Sequence, residues 1–458
     1  MTPAWAQIGN LAAALAFIFA LKALSSPKSA RLGNRVGATG AIAAVAIIFF
    51  SESNLKHLPL ILIAVAFGTI IGFTAARRVQ MTQMPQMVAL FNGVGGGAAM
   101  AVAAIEFLSV GASNGFVALF ATVFTIVIGS VSFTGSIVTF LKLQELMTSR
   151  PVVLPLGRFI TIGTALTTLF VSVYLIVSPE IWAMWTLVAL SLILGILFVL
   201  PVGGADVPIV ISLLNAFTGL SVAASGYVLD NVLLLVAGTL VGASGTLLTQ
   251  LMAKAMGRPL TSTLFGAFTA KASTATGSAV DRPVKSAGPN DIAIMLTYAS
   301  KVIIVPGYGL AVAQAQQTLR ELVDLLITKG VEVEYAIHPV AGRMPGHMNV
   351  LLAEADVPYE QLKEMDEINS EFSSASVAVV VGANDVVNPA ARTDSTSPIF
   401  GMPILNADQA EQVVFMKRSM RPGFAGVENE LLFNDKTTLL FGDAKDSLSK
   451  VVAAVKTM

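Results

Sequence analysis

The chain has 458 residues, of which 55% are apolar and only 12% are charged, and its formal net charge is zero. This composition is too apolar for an ordinary soluble protein and indicates an integral membrane protein. The lack of cysteine excludes disulfides, thiolate metal sites and cysteine nucleophiles, and three histidines leave little for a metal cluster.

The charged residues are distributed unevenly along the chain. The first 260 residues hold 12 Lys+Arg and 6 Asp+Glu, whereas the remaining 198 residues hold 16 and 22. Two domains that face different solvents are therefore expected. The acidic excess of the second part, which has no basic stripe, argues against a nucleic-acid partner.

Nine apolar runs precede residue 256, each long enough to cross about 30 Å of hydrocarbon as a helix. They lie near residues 3–24, 36–51, 58–76, 84–106, 115–140, 157–178, 181–200, 207–227 and 231–253. The first run is expected to be a retained helix rather than a cleaved signal, because no basic residue precedes it. Residues 1–256 are therefore predicted to form a transmembrane domain.

The cations between these runs lie on one side of the predicted bundle. Eleven of them fall in one alternating set of loops: Lys22, Lys28, Arg31, Arg35, Arg77, Arg78, Lys142, Arg150, Arg158, Lys254 and Arg258. The other set contains only Lys56. The positive-inside rule then places the N-terminus outside and, after nine crossings, the C-terminal part in the cytoplasm.

A change of pattern marks the second part of the chain. Residues 257–289 are rich in Ser, Thr, Ala, Gly and Pro and are predicted to be a linker. Residues 290–458 alternate strands predicted at Val302–Val305, Val331–Ala336, Val377–Val381, Val413–Met416 and Thr438–Phe441 with helices predicted at Leu310–Lys329, Pro358–Phe372 and Ala444–Val455. This alternation predicts an α/β Rossmann-like domain with a parallel sheet.

A glycine motif follows the first predicted strand. Gly307-Tyr308-Gly309 and Val312 form a Gly-x-Gly-x-x-Val turn that opens a helix. In this context glycines let backbone N–H groups approach a pyrophosphate, although a tight strand-to-helix turn without a ligand has the same pattern.

The second predicted strand bears on the type of dinucleotide. An NAD site usually has a carboxylate at the end of this strand, whereas here Glu332 and Glu334 come earlier and the strand ends at His338. The absence of a carboxylate at the end of this strand favours a ligand with a 2′-phosphate. Lys417, Arg418 and Ser419 offer two cations and a hydroxyl for it, unless they are solvated surface residues.

Six ordered motifs in this part resemble those of the β subunit of proton-translocating NAD(P) transhydrogenase. They are Gly307–Gln316, His338–His347, Glu364–Asn369, Gly382–Asp385, Lys417–Ser419 and Gly442–Lys445. The likeness extends into the membrane half through Met84–Leu90 and Gly204–Pro208.

The resemblance implies a Re/Si-specific enzyme of the bacterial plasma (inner) membrane that is active with an α subunit. A cytoplasmic domain of this chain would bind NADP(H), a domain of the α subunit would bind NAD(H), and hydride would pass directly between the two nicotinamides without a covalent enzyme intermediate. It also implies a dimer of αβ units. In that family NADP(H) lies across the edge of the sheet in the reverse of its orientation in ordinary dehydrogenases. The glycine turn is therefore not assumed to hold its pyrophosphate.

The resemblance also implies which residues contact NADP(H). The matching positions are Gly307, Tyr308, Gly309, Val340, Ala341, Gly342, Arg343, Met344, Pro345, Gly382, Ala383, Asn384, Asp385, Val386, Gly401, Met402, Lys417, Arg418, Ser419, Met420, Arg421, Pro422, Gly423, Phe424, Asp443 and Ala444. Relatives commonly have tyrosine at Phe424, so a hydroxyl contact is lost there. Asp385 is the candidate for sensing nicotinamide charge; its alternative role, with Asn384, is a local Asx turn.

Proton passage needs polar groups inside the bundle, where ionisable side chains are rare. None lies near the midpoint of a predicted span, and the polar midspan candidates are Asn92 and Asn215. Many family members have histidine at Asn92, and an amide cannot store a proton as imidazole does. We therefore expect an α-subunit helix to supply a histidine; the alternative role of both asparagines is interhelical hydrogen bonding.

Two carboxylates are expected at the ends of predicted spans. Glu106 lies at an outer end, and Asp206 lies at the inner start of the eighth span, where it suits communication with the nucleotide domain. A helix N-cap is the competing role of Asp206.

The function predicted from the sequence is that of a proton-pump subunit coupling hydride transfer between NADH and NADP⁺ to proton translocation. The alternative is a channel or transporter gated by a dinucleotide-sensing domain, which has the same architecture. Neither a Thr-Val-Gly-Tyr-Gly filter nor a ring-forming acidic pore motif occurs in the sequence. A membrane anchor for an unrelated dehydrogenase would not explain polar residues within the spans.

Overall fold

The computed structural model describes residues 3–51, 57–110, 115–148, 151–152, 154–203, 206–255, 282–342, 346–395, 397, 399–423 and 425–458. Their contacts divide into two compact units. Met1–Val202 with Ile209–Thr249 form a helical unit, and Gly203–Pro208 with Gln250–Met458 form a unit that contains an α/β domain. Most of the predicted linker lies outside the described residues.

Nine helices of the described residues are long and apolar enough to cross a membrane, in agreement with the sequence prediction. They are α1 (Ala4–Leu24), α2 (Pro27–Ser51), α3 (Leu58–Arg78), α4 (Met84–Val110), α5 (Phe116–Leu143), α6 (Gly157–Val177), α7 (Ile181–Val199), α8 (Val207–Val228) and α9 (Val232–Ala255). The predicted start of the second span was wrong by nine residues: α2 begins at Pro27, not at residue 36.

Helix α5 packs against α4, α6 and α7 and buries a row of small and polar side chains. A Cβ on Gly129 of α5 would lie 2.8 Å from the carbonyl oxygen of Gly96 on α4, and a Cβ on Gly195 of α7 would lie 2.6 Å from that of Val131. Such approach of backbones is what glycine permits between membrane helices. Apolar packing continues beside these contacts, where Ile126 and Leu187 are fully buried.

In the described part of the α/β domain six parallel strands form one sheet in the order β3-β2-β1-β4-β5-β6. The strands are β1 (Lys301–Pro306), β2 (Glu332–Ile337), β3 (Leu362–Glu364), β4 (Val377–Val381), β5 (Gln412–Lys417) and β6 (Thr437–Phe441). The order is that of the Rossmann fold, with a reversal between β1 and β4. The predicted fold class is therefore confirmed.

Seven α-helices among the described residues accompany the sheet. They are α10 (Pro289–Thr297), α11 (Tyr308–Val312), α12 (Gln316–Thr328), α13 (His347–Glu354), α14 (Met365–Ile368), α15 (Ala390–Thr393) and α16 (Ala444–Thr457). Two predicted helices were wrong in detail. The one over Leu310–Lys329 is divided at Gln314, whose φ is 49°, and the one over Pro358–Phe372 contains β3. That strand escaped prediction because it has three residues, of which only Leu362 is buried.

Candidate functional site

The loops that follow β1 and β4 pack directly on each other where the strand order reverses. Gly309 N–H donates to Gly382 O over 2.9 Å, and Gly307 N–H donates to Val381 O over 2.9 Å. A Cβ on Gly307 would lie 2.4 Å from Gly382 O, and Gly382 has a φ of 71° and would place a Cβ 2.3 Å from the backbone nitrogen of Leu310. The contact between the two loops therefore requires these glycines.

A second junction joins the loops that follow β4 and β5. Asp385 accepts hydrogen bonds from Ala425 N–H at Oδ2 (2.8 Å) and from Asn384 Nδ2 at Oδ1 (3.0 Å). Lys417 Nζ donates to Asn384 Oδ1 (3.0 Å) and to Arg421 O (3.2 Å). Asp385 thus holds the loop after β5 as well as the neighbouring Asn384, which is more than a local Asx turn requires.

The charges at this junction are partly withdrawn from solvent. Burial lowers the pKa of Lys417, and the nearby carboxylate of Asp385 opposes that change. Arg418, Ser419 and Arg421 are exposed, whereas Gly423 packs against the pair, since a Cβ there would lie 2.4 Å from Asp385 Oδ1. The loop after β5 therefore presents cations and a hydroxyl around one half-buried ammonium.

His338 fixes the loop that follows β2. Its Nδ1 accepts a hydrogen bond from Val340 N–H (3.2 Å), so Nε2 carries the proton and donates to Pro403 O (2.8 Å). The ring is 2% exposed, and burial lowers its pKa to about 4. His338 is therefore a neutral connection between this loop and the segment that contains Gly401 and Met402.

Further contacts bring the remaining predicted segments together. Val386 O accepts from Leu405 N–H (2.9 Å), and Lys417 O accepts from Gly442 N–H (3.0 Å). Asp443 caps α16 by accepting Lys445 N–H at Oδ1 (3.0 Å). The structure thus joins the loops after β1, β2, β4, β5 and β6 by hydrogen bonds or close packing at the carboxyl ends of the strands.

Four predicted cofactor residues, Arg343, Met344, Pro345 and Phe424, lie outside the described residues. The turn before the first three is tightly packed: Gly342 has a φ of 114°, and a Cβ there would lie 2.5 Å from His347 Nδ1. The ring of His347 is buried and lies 5.9 Å from that of Tyr308 between centroids. These packed residues connect the turn to the loop after β1.

The two glutamates of β2 belong to the opposite end of the sheet. Lys301 Nζ lies 2.8 Å from Glu332 Oε1 and 3.0 Å from Glu334 Oε2, and it also contacts Glu371. Burial raises the pKa of Glu334, whereas the hydrogen bond from Lys301 lowers that of Glu371. The sequence analysis missed this ion cluster. The described residues 338–342, which follow β2 at its other end, include no carboxylate.

A separate polar network lies inside the helical unit around Asn92. Asn92 is 8% exposed, and its Nδ2 donates to Ser136 Oγ (2.9 Å) and Ser132 Oγ (3.3 Å). Ser132 Oγ lies 2.6 Å from Thr218 Oγ1 on α8. Asn215 is half-buried and makes no side-chain hydrogen bond to the described residues. The two midspan candidates Asn92 and Asn215 are therefore not bonded to each other, and hydroxyl groups connect their helices.

The sequence analysis missed the serines and threonine of this network. Their only signal is that Ser132 and Ser136 stand four residues apart in an apolar helix and therefore share one face. One acceptor of the network, Asn92 Oδ1, is buried without a hydrogen-bond donor among the described residues. A hydrogen-bond donor from outside this chain would complete it.

The buried cation Lys142 was counted with the loops but lies in the last turn of α5. It is 1% exposed, and its ammonium donates to the carbonyls of Val199 (3.1 Å), Leu200 (2.6 Å) and Val202 (2.7 Å). These carbonyls form the carboxyl end of α7, where a cation is favourable. Asp206 lies just before α8, and its N–H donates to Gly203 O (3.0 Å).

Comparison with known proteins gave concordant matches over almost the whole chain. A family model described as NAD(P) transhydrogenase beta subunit matches residues 6–454. The NAD(P) transhydrogenase subunit beta of Rhodospirillum rubrum is 45% identical over 464 residues, which cover 99% of this chain and 100% of that protein. A second sequence of the same name, from a specified strain of this species, has the same identity and coverage.

Proposed function

The chain belongs to the NAD(P) transhydrogenase beta subunit family, and on this premise we propose that it couples hydride transfer between NADH and NADP⁺ to proton translocation. One observation carries the proposal. The loops after β1, β2, β4, β5 and β6 meet at one edge of a Rossmann-type sheet, in the same chain that buries a polar network among membrane-spanning helices. A nucleotide site and a polar route are thus combined.

The residues at the sheet edge fit a phosphorylated dinucleotide. The described part of the β2 end offers no carboxylate for a ribose 2′-hydroxyl, while Lys417, Arg418, Ser419 and Arg421 offer cations and a hydroxyl for a 2′-phosphate. NADP(H), when bound, supplies the hydride chemistry. The side chains and loops of this chain position it and shield it from water.

Asp385 is proposed to report the state of the site to the rest of the domain. It contacts both Asn384 and the loop after β5, so a change of charge beside it alters the hydrogen bonds that hold this loop. Asp206, which precedes α8, is the proposed receiver on the membrane side. For Asp385 to act in this way, the loop after β5 must adopt two arrangements.

The titrating group of the proton route is proposed to come from an α subunit. Asn92 does not ionise, but its buried Oδ1 accepts no hydrogen bond from the described residues. It is therefore able to accept one from a donor such as a protonated imidazole. Asn215 on α8 provides a second amide within the spanning helices. Partnership with an α subunit is supported by the family relationship, and assembly of two αβ units is part of the same proposal.

The distribution of cations supports the proposed orientation. Eleven Lys and Arg side chains fall in one alternating set of connections or the adjoining helix ends, against Lys56 in the other. By the positive-inside rule this distribution favours the proposed arrangement, with the α/β domain in the bacterial cytoplasm and the N-terminus outside.

The test is to reconstitute the chain with its α subunit in vesicles and to follow reduction of an NADP⁺ analogue by NADH while recording the internal pH. We expect hydride transfer, proton movement and acceleration by an uncoupler. The chain without the α subunit is expected to bind NADPH but to move no protons. Ion conduction by the chain alone on addition of NADPH would instead establish the dinucleotide-gated channel.

A further inference from the structure

Residues 282–287, at the end of the predicted linker, are attached to the edge of the sheet, and we call them the docking segment. Ala287 N–H donates to Leu439 O (3.1 Å), and Leu439 N–H donates to Lys285 O (2.8 Å). Leu439 is the central residue of β6, the last strand in the sheet order. The docking segment therefore pairs with β6 as a short parallel bridge.

A cationic side chain holds the start of the docking segment. Arg282 Nη1 lies 2.7 Å from Glu430 Oε2, and the guanidinium lies 4.9 Å from the centre of the Phe433 ring. Both partners belong to the 3₁₀-helical turn Glu430–Phe433, which follows the loop after β5. An exposed ion pair alone contributes little, but here the same guanidinium also lies over an aromatic ring. Two different interactions thus attach Arg282 to one turn.

Asn429 joins this turn to the loop after β4. It is 1% exposed; its Oδ1 accepts from Leu431 N–H (3.0 Å), and its Nδ2 donates to Asn384 O (3.0 Å). Beside it, Asn388 Nδ2 donates to Glu428 O (3.1 Å). Because both ends of the Asn429 amide are bonded, this side chain fixes the turn relative to the loop that contains Asn384.

The loop contacts described above extend this connection to the candidate cofactor site. Lys417 Nζ donates to Asn384 Oδ1 (3.0 Å), and Asn384 O accepts from Asn429. Asn429 directly precedes the turn Glu430–Phe433, which binds Arg282. A series of contacts therefore leads from the loops after β4 and β5 to the docking segment.

We propose that Asn429 is a positioning residue for the NADP(H) site and that occupancy of this site holds the docking segment more firmly. The inference rests on the proposed function. NADP(H) that contacts the loops after β4 and β5 restricts their motion, and Asn429 passes this restriction to the turn that binds Arg282. By thermodynamic linkage, detaching the docking segment weakens NADPH binding by the same factor by which NADPH favours its attachment.

The experiment measures amide hydrogen exchange of the docking segment in the αβ complex, with and without NADPH. Exchange reports local opening of the hydrogen bond that Ala287 N–H makes with β6. In the wild type, NADPH is expected to slow exchange of the peptide that contains Ala287 by about tenfold, the equivalent of one hydrogen bond.

Asn429→Asp separates the two bonds of this side chain. A carboxylate still accepts from Leu431 N–H but cannot donate to Asn384 O. The effect of NADPH on exchange is therefore expected to disappear, and the Kd for NADPH to rise about tenfold. Asn434→Asp is the matched control, because Asn434 is exposed and its Oδ1 accepts from Lys436 N–H, a bond that a carboxylate preserves. It is expected to behave as the wild type.

A charge exchange tests the docking contact itself. Arg282→Glu is expected to speed exchange in the docking segment and to weaken NADPH binding, because it sets two carboxylates against each other. Combining it with Glu430→Arg is expected to reverse most of both effects, since the ion pair is then restored with opposite sign. A merely local role of Arg282 would change exchange without changing NADPH affinity, which would overturn the inference.

Three further results would overturn this inference and leave the proposed function intact. In the first, NADPH binds the wild-type complex without changing exchange in the docking segment. In the second, Asn429→Asp and Asn434→Asp have equal exchange and equal Kd values. In the third, the double charge exchange is no better than Arg282→Glu alone. A wild-type complex that does not bind NADPH would overturn the proposed function itself.

Discussion

Replacing Asp385 with asparagine removes one charge and one acceptor from the junction between the loops after β4 and β5. The two carboxylate oxygens of Asp385 accept from Ala425 N–H (2.8 Å) and Asn384 Nδ2 (3.0 Å). An amide offers only one oxygen, so its NH₂ group must face one of these two donors. Asp385→Asn therefore loses one hydrogen bond and sets a donor against a donor.

The magnitude follows from that lost bond. Leaving a partly buried donor unsatisfied costs about 1 to 3 kcal/mol. Because about 1.4 kcal/mol corresponds to tenfold in affinity, NADPH is expected to bind about tenfold more weakly if the loop must be held for binding. The nearby Lys417 adds a pH dependence: the carboxylate of Asp385 opposes the burial that lowers the pKa of Lys417, so its removal lowers that pKa further.

The assay is titration of the purified αβ complex with NADPH between pH 7 and pH 9. We expect the Kd of Asp385→Asn to rise more steeply toward pH 9 than that of the wild type, because more Lys417 is then neutral. Asp408→Asn is the control with the same chemical change. Asp408 forms an ion pair with Arg392 on the surface (3.0 Å), where such pairs contribute little.

Equal NADPH affinities for Asp385→Asn and Asp408→Asn at both pH values would refute this reasoning. The junction would then be a packing feature without influence on the cofactor. A uniform loss of affinity that does not depend on pH would retain the role of the hydrogen bond but refute the role of Lys417.

Two further predictions concern stability, and a third concerns NADPH binding. Lys142→Met should lower the Tm of the detergent-solubilised complex by several degrees more than Lys142→Arg, because methionine leaves three carbonyls without a donor; equal Tm values for the two variants would contradict this. The folded pKa of His338, about 4, lies below the ordinary value of 6.5. Unfolding therefore takes up a proton, and about 3 kcal/mol of stability is lost as the pH falls from 6.5 to 4. Denaturation at several pH values should show this loss, with a shallower slope in His338→Gln. Gly382→Ala should weaken NADPH binding more than Gly330→Ala, because both glycines have positive φ but only at Gly382 would a Cβ meet the backbone of Leu310, at 2.3 Å; similar Kd values would show that this contact between the loops is unimportant.

Much of the fold was predictable because it follows from solvent and local periodicity. Runs of apolar residues long enough to cross a bilayer gave all nine spans, and the buried β-branched strands gave five of the six strands. The prediction failed where the sequence pattern covers only a few residues. β3 has three residues, and the division of a predicted helix at Gln314 depends on one positive φ.

The site was predictable in its segments but not in its contacts. The motifs named the loops that meet at the sheet edge, since parallel strands direct their carboxyl ends to one side. Asp385, Lys417 and His338 make bonds to partners that lie 33 to 65 residues away, as in the bond between His338 and Pro403. Spacing along the chain carries no information about such pairs.

The sequence by itself determined the solvent of each part of the chain, the orientation expected from its cations and the class of the second domain, because composition and periodicity are local properties. Only the tertiary structure decided that Lys142 caps α7 and that Ser132 connects Asn92 to Thr218. The physical reason is that a polar group inside a bilayer must find its partner on another helix, and which helix that is depends on packing.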